Sequence, residues 1–308
     1  MSKSSAQPLQ PNAGERGLAS SAPGYAAVTI RTSWREFSTW WETAHLADHF
    51  DLTVAREVVG QLGSWPEQRT MADLIAEACA GGEISAELAG NAAAPADATY
   101  ADITCAFQAT HAAIMDWLHR PDWLDSALAP ASTPLGRLPL LTALHGTVHQ
   151  LAVAQLALVA NPTDAHPELL AAGVLATCDT MGAFAARSAV RGSLALATPT
   201  SMIATWASHG SWYTTNATEL PPGYRGPVVS ASAAVLLGIT SGQADVPALY
   251  RSGEIRVDDL AGLLNLAPAL AGVPGMPNLG AITTATKWVA STGQLLSRLS
   301  SLGRRSKN

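Results

Sequence analysis

Leu140-Leu141-Thr142-Ala143-Leu144-His145-Gly146-Thr147-Val148-His149-Gln150-Leu151-Ala152-Val153 is the stretch on which the reading of this chain turns. It is apolar at helical intervals and carries two histidines in an HxxxH spacing. A helix advances roughly 100° per residue, so positions i and i+4 share one face about one turn apart. Two imidazoles on one face can grip one divalent metal between them. The plainer alternative is a pair of ordinary core histidines. A complete site needs a further ligand from another helix, because one helical face offers only two well-placed groups.

Outward from this stretch the first half reads as helices. Thr32 to about Leu62 is one expected helix, with Trp34, Phe37, Trp41, Ala44 and Leu52 on its apolar face and Ser33 as N-cap. Met71–Ala80 is a second, opened by Thr70 and Asp73 in a near capping box and closed by Gly81-Gly82. A third runs from about Thr99 to Leu118, and Trp123–Leu128 is a short amphipathic piece. Ala129–Pro134 is a turn-rich connection. The histidine helix spans about Leu135–Val159, and a fifth spans about Pro167–Ala189. This is the pattern of a helical bundle.

After Arg191 the texture changes. Gly192–Thr198, Thr205–Asn216, Val228–Ser232 and Gly253–Asp258 suit strands. Ala233–Gly238, Asp245–Tyr250 and Leu260–Leu270 suit short helices. The expected fold class is therefore α+β, a helical bundle followed by a smaller α+β domain. The expected layout is a disordered tail over 1–30, the bundle over 31–190, the α+β domain over 191–283, and a C-terminal helix with a basic tail over 284–308. In that last helix Trp288, Leu295, Leu299 and Leu302 align.

Composition narrows the function. The chain has 308 residues, 48% of them hydrophobic, with nine Trp and only 14% charged residues. A net charge of −6 supplies no basic field for nucleic acid. The stretch Met1–Tyr25 is rich in Ser, Ala, Pro and Gly and has no apolar core of a signal peptide. Leu169–Val190 is interrupted by Asp179 and Arg187, and Leu260–Leu279 by prolines, so no membrane span is expected. The three cysteines, Cys79, Cys105 and Cys178, are far apart and odd in number, which argues against a disulfide framework and for small core residues in a reducing compartment. The expectation is a cytoplasmic protein with small-molecule partners and neither nucleic acid nor membrane among them.

The candidate third ligand is Glu77, in the apolar helix Asp73-Leu-Ile-Ala-Glu77-Ala-Cys79, where an unpaired carboxylate would be costly to bury. Its plain reading is an exposed helix glutamate. His45 and His49 form a second HxxxH, read as a polar rim beside Glu42 and Asp48 or as additional ligands. His111 and His119, eight residues apart, are read as structural. No GxGxxG, P-loop, GxSxG or CxxC occurs.

The order of these pieces resembles the DinB-like four-helix bundles, and in particular the N-terminal domain of the mycothiol-dependent maleylpyruvate isomerase family. Ser64-Trp65 followed by Met71-Ala72-Asp73-Leu74-Ile75-Ala76-Glu77 is similar to a Trp-containing loop that enters a D-L-x-x-H helix, with Glu77 standing where the family has its first metal-binding His. Leu144-His145-Gly-Thr-Val-His149 is similar to the later E/H-x-x-x-H helix. The resemblance implies a ligand set of Glu77, His145 and His149, with the carboxylate moved to another helix. The Asp usual soon after the last His is absent; Gln150-Leu151-Ala152 stands there.

The second half resembles the family's sterol-carrier-like C-terminal domain. Ser230-Ala-Ser-Ala-Ala-Val-Leu-Leu, Ser-Gly-Gln243-Ala-Asp245 and Gly253-Glu-Ile-Arg256-Val-Asp258 carry that likeness. An Arg is common where Gln243 lies, so Arg251 or Arg256 would take over any contact with an anionic substrate. The resemblance implies a divalent metal, zinc foremost, and mycothiol as thiol co-substrate. The implied activity is S-transfer to, or thiol-assisted isomerisation of, a small acceptor metabolite other than maleylpyruvate, in specialised metabolism such as antibiotic biosynthesis. Two other classes stand beside it: a non-catalytic metal- or lipid-binding protein, and a metal-dependent hydrolase in which the metal activates water.

Overall fold

The structure is a computed structural model, and it describes residues 15–65, 70–80, 94–133, 136–187, 191–208 and 210–270. Two helices open the chain: α1 (Leu18–Ser21) and α2 (Pro23–Ala44). Then come α3 (Leu52–Val58), α4 (Met71–Ala80), α5 (Tyr100–His119) and α6 (Trp123–Ala127). A hairpin of β1 (Pro130–Thr133) and β2 (Gly136–Pro139) leads into α7 (Leu140–Leu158), and α8 (Pro167–Arg187) follows. The second half comprises β3 (Gly192–Ala197), β4 (Met202–Ser208), β5 (Ser211–Ala217), β6 (Val228–Ser230), α9 (Ala233–Thr240), α10 (Val246–Ser252), β7 (Arg256–Val257) and α11 (Leu260–Leu270). The fold is α+β, as the sequence reading expects.

Within the stretch read as a disordered tail, residues 18–21 and 23–30 are helical. Pro23 starts α2 at a position where its missing N–H costs nothing, and Ala26, Ala27, Ile30, Trp34, Phe37 and Trp41 form its buried stripe. Small residues at the front of that stripe hide its periodicity in a Ser/Ala/Pro/Gly composition. The single helix expected over 32–62 is broken at His45–Phe50, and a new one begins at α3, where the Asp51 side chain accepts from the N–H groups of Thr53 and Val54. The Thr70–Asp73 and Thr99–Asp102 pairs bond reciprocally at the starts of α4 and α5.

Three further readings are corrected. The connection Ala129–Pro134 contains a strand of the small hairpin, so α7 begins at Leu140 rather than Leu135. The region Thr205–Asn216 is two antiparallel strands, turned at Gly210, whose φ of 81° suits glycine. Cys105 is exposed on α5 and Cys79 partly so; Cys178 alone is buried, and burial pushes its thiol pKa up. The C-terminal helix expected over 284–302 lies outside the described residues.

The five-stranded sheet has the order β5-β4-β3-β6-β7, with β3 and β6 parallel and the other pairs antiparallel. Its strands alternate. Leu194 and Leu196 join the main core, while Ala195, Ala204, Trp206 and Val228 form a second cluster on the other face. Helix α8 lies between bundle and sheet, packing on α7 and α2 on one side and on β3, β4 and β5 on the other. It is therefore apolar nearly all round, as a two-sided core helix must be. By length and composition Pro167–Ala186 could cross a membrane, but most of it is buried inside the fold.

Two glycines set the spacing of α8. A Cβ on Gly173 would come within 2.5 Å of the Ala152 methyl on α7, and one on Gly182 within 2.3 Å of Thr205 Oγ1 on β4. One core thus runs from the bundle into the inner face of the sheet, across the domain boundary expected at 190/191. Residues 15–17 also join the far half: the N–H of Gly17 bonds to the carbonyl of Trp212, beside β5.

Candidate functional site

Helix α7 is buried along most of its length, polar residues included: Thr142, His145, Thr147 and Gln155 are inside with the leucines. Buried polar groups need partners. Thr147 has two, accepting from Trp34 Nε1 of α2 at 2.9 Å and donating to the Leu144 carbonyl at 2.6 Å. The histidines find theirs on α8. The α7–α8 pair is antiparallel, and the stripe of α7 at 145, 146, 149 and 152 meets 179, 180, 177 and 173 of α8 in turn.

His145 is 1% exposed. Its Nδ1 lies 3.5 Å from Oδ2 of Asp179, itself 1% exposed. The other carboxylate oxygen, Oδ1, accepts from the Leu18 N–H and from Trp212 Nε1, each at 3.2 Å. Asp179 therefore links α8, the start of α1, strand β5 and the histidine helix. Gly17, at φ 60°, lets the chain pass over this carboxylate; a Cβ there would fall 2.1 Å from Oδ1. In the neutral tautomer, an Nδ1 turned to a carboxylate carries the proton and leaves the lone pair on Nε2. Nε2 is buried and has no hydrogen-bond partner among the described residues.

His149 repeats the arrangement one turn on. Its Nδ1 is 2.8 Å from Thr177 Oγ1. The Thr177 hydroxyl donates its one proton to the Gly173 carbonyl, also at 2.8 Å, so the ring must be the donor and its Nε2 again bears the lone pair. Burial pushes the His149 pKa down to about 4, so the ring is neutral near pH 7. Both imidazoles are thus oriented through Nδ1 by α8 and offer Nε2. Gly146, next to His145 on α7, has only the Thr180 hydroxyl near, 3.6 Å from where a Cβ would stand.

Glu77 is the third donor that the sequence resemblance implies. It lies half-buried on α4, and among the described residues no group of three or more His, Cys, Asp and Glu is arranged to hold a metal ion. The imidazole pair fits a cation, with two bare nitrogens, one of them orphaned, and a carboxylate behind His145.

The remaining candidates fall elsewhere. His45 follows the last residue of α2 and stacks on Tyr100 at 4.3 Å, and both His45 and His49 are exposed in the turn that separates α2 from α3. Their spacing is not helical, so the premise for a second metal pair fails. His111 is half-buried against Trp34, and burial lowers its pKa; His119 is exposed at the end of α5. Arg251 and Arg256 are exposed on α10 and edge strand β7, outside the buried seam.

Asp179 is the residue that the sequence reading missed. In the sequence it figures only as a charge that interrupts an apolar run. The argument applied to Glu77, that a carboxylate inside an apolar helix needs a reason, applies to it with greater force.

No family model matches the chain, and no curated protein matches it. Solved structures similar to it include two of one enzyme. One is the mycothiol-dependent maleylpyruvate isomerase, with a TM-score of 0.41 and 15% identity over 78% of this chain and 93% of that one. The other is a histidine-to-alanine mutant of that isomerase, with a TM-score of 0.42 and 14% identity over the same shares.

Proposed function

We propose that this chain is a metal-dependent enzyme of thiol chemistry. His145 and His149 would hold a divalent cation, zinc foremost, through their Nε2 atoms, with Glu77 as the carboxylate that completes the set in the sequence resemblance. A low-molecular-weight thiol, mycothiol in that resemblance, is the co-substrate. The reaction is S-transfer to, or thiol-assisted isomerisation of, a small acceptor in specialised metabolism. One observation carries the reading: α8 engages both Nδ1 atoms and leaves both Nε2 lone pairs for a ligand. Histidines that bind metal characteristically turn their other nitrogen to a carboxylate or a fixed oxygen.

When bound, such a cation lowers the pKa of a coordinated thiol and yields a thiolate at neutral pH. The chain supplies the rest. Asp179 holds the His145 ring and its tautomer, and Thr177 does the same for His149. The depressed pKa of His149 keeps protons from competing for its nitrogen near neutrality. Gly146 leaves room beside His145. The surrounding leucines exclude water, which strengthens electrostatic contacts inside. The experiment is thiol dependence: turnover of candidate acceptors with and without mycothiol. Turnover that needs no thiol supports the hydrolase instead.

A second reading has its own observation. Asp179 bonds to Leu18 and Trp212 as well as facing His145, so the histidines could serve only to tie bundle, sheet and N-terminal segment together in a non-catalytic binding protein. In that case neither imidazole binds metal.

A further inference from the structure

Thr142 begins the same stripe of α7, three residues before His145 and seven before His149, and so lies on the face turned to α8. Continuing the antiparallel register of 145 with 179 and 149 with 177 brings it level with the buried, apolar Ala183. The residue is 1% exposed, and its hydroxyl has no hydrogen-bond partner among the described residues. The other buried helical threonines behave differently. Thr110, Thr147 and Thr177 each donate to a carbonyl three or four residues back. Thr142 does not reach the Leu138 carbonyl, and as the third residue of α7 it cannot serve the N-cap amide, because the N-cap is Pro139 and has no N–H.

A buried hydroxyl without a partner destabilises the fold, and valine would fill the same space without that cost. The orphaned Nε2 of His145 lies one turn away on the same face. Two unsatisfied buried polar atoms in adjacent turns of one helix face point to one absent ligand group. We propose that Thr142 binds the sulfur of the thiol co-substrate, its hydroxyl donating to the negatively charged sulfur beside the histidines. This rests on the thiol reading above and deepens it: the anionic sulfur sits toward the Thr142 end of the seam, not toward Arg251 or Arg256. No bond is made or broken at Thr142; it contributes one hydrogen bond to a thiolate.

The test is calorimetric titration of the zinc-loaded full chain with mycothiol, in wild type, Thr142→Val and Thr142→Ser, together with melting of the unliganded proteins. The expected result is binding to wild type, about tenfold weaker binding to Thr142→Val, and binding to Thr142→Ser within about twofold of wild type. Unliganded Thr142→Val should melt at or above the wild-type temperature, since it loses an unpaired hydroxyl. Equal affinity in Thr142→Val overturns the assignment and leaves the thiol reading standing. Loss in Thr142→Ser as large as in Thr142→Val also overturns it, because shape and not the hydroxyl is then responsible. A lower melting temperature of Thr142→Val would reveal an internal partner and overturn it as well. Failure of wild type to bind the thiol removes the thiol reading itself.

Discussion

Across the seam between α7 and α8, Nδ1 of His145 stands 3.5 Å from Oδ2 of Asp179, and neither side chain reaches solvent. That contact joins a histidine of the bundle to a carboxylate whose other oxygen is held by Leu18 and Trp212. The orientation of the histidine thus depends on the sheet and on the N-terminal segment. Asp179→Asn should unsettle both. Its amide N–H would oppose the ring N–H, or the ring proton would move to Nε2 and remove the free lone pair. The expected cost in urea unfolding is about 1–3 kcal/mol. In a competition titration, zinc affinity should fall by about 10–100-fold.

Gly146→Ala tests the space beside His145. The new methyl would make an ordinary contact, 3.6 Å from Thr180 Oγ1, so no clash opposes it. Alanine in a helix interior is favoured over glycine, and the variant should gain about 0.5–1 kcal/mol of stability. If a ligand enters beside His145, the same methyl obstructs it. The expected outcome is a chain that resists urea better and binds mycothiol more weakly.

His149, half-buried against α8, makes stability depend on pH. Its folded pKa is pushed down to about 4, below the ordinary value of 6.5. Above about pH 6.5 the ring is neutral in both folded and unfolded chains and contributes no pH dependence. Between about 6.5 and 4 the unfolded chain takes up a proton that the folded chain refuses, so stability falls as pH falls. Below about 4 both forms are protonated and this contribution levels off. Urea unfolding of wild type and His149→Gln at pH 7 and pH 5 isolates it: the wild type should lose more stability over that interval than the variant.

Much of this architecture was legible because it is written in local chemistry. The Thr70/Asp73 box, the proline-bounded ends of α7 and α8 and the strand composition after Arg191 each mark an element directly. What was not legible depended on distant partners. The stripe Ala26-Ala27-Ile30 looks like a low-complexity tail until α7 is there to cover it. The hairpin β1–β2 is short and proline-bounded, and its pairing, not its residue pattern, defines it. Within the site, the i, i+4 spacing brought His145 and His149 together on sight. Asp179 and Thr177 come from another helix, and which residues of α8 meet α7 is fixed by the close approach at Gly173, which no periodicity reports. Glu77 drew notice by its setting in an apolar helix, and it is half-buried on α4.

The most direct measurement is the zinc content of the purified chain, with His145→Ala, His149→Ala and His45→Ala alongside. About one equivalent of zinc per chain in wild type and in His45→Ala, lost in each of the other two, is the predicted result. A wild type that takes up no zinc, or that holds it equally well without His145 and His149, would contradict the account.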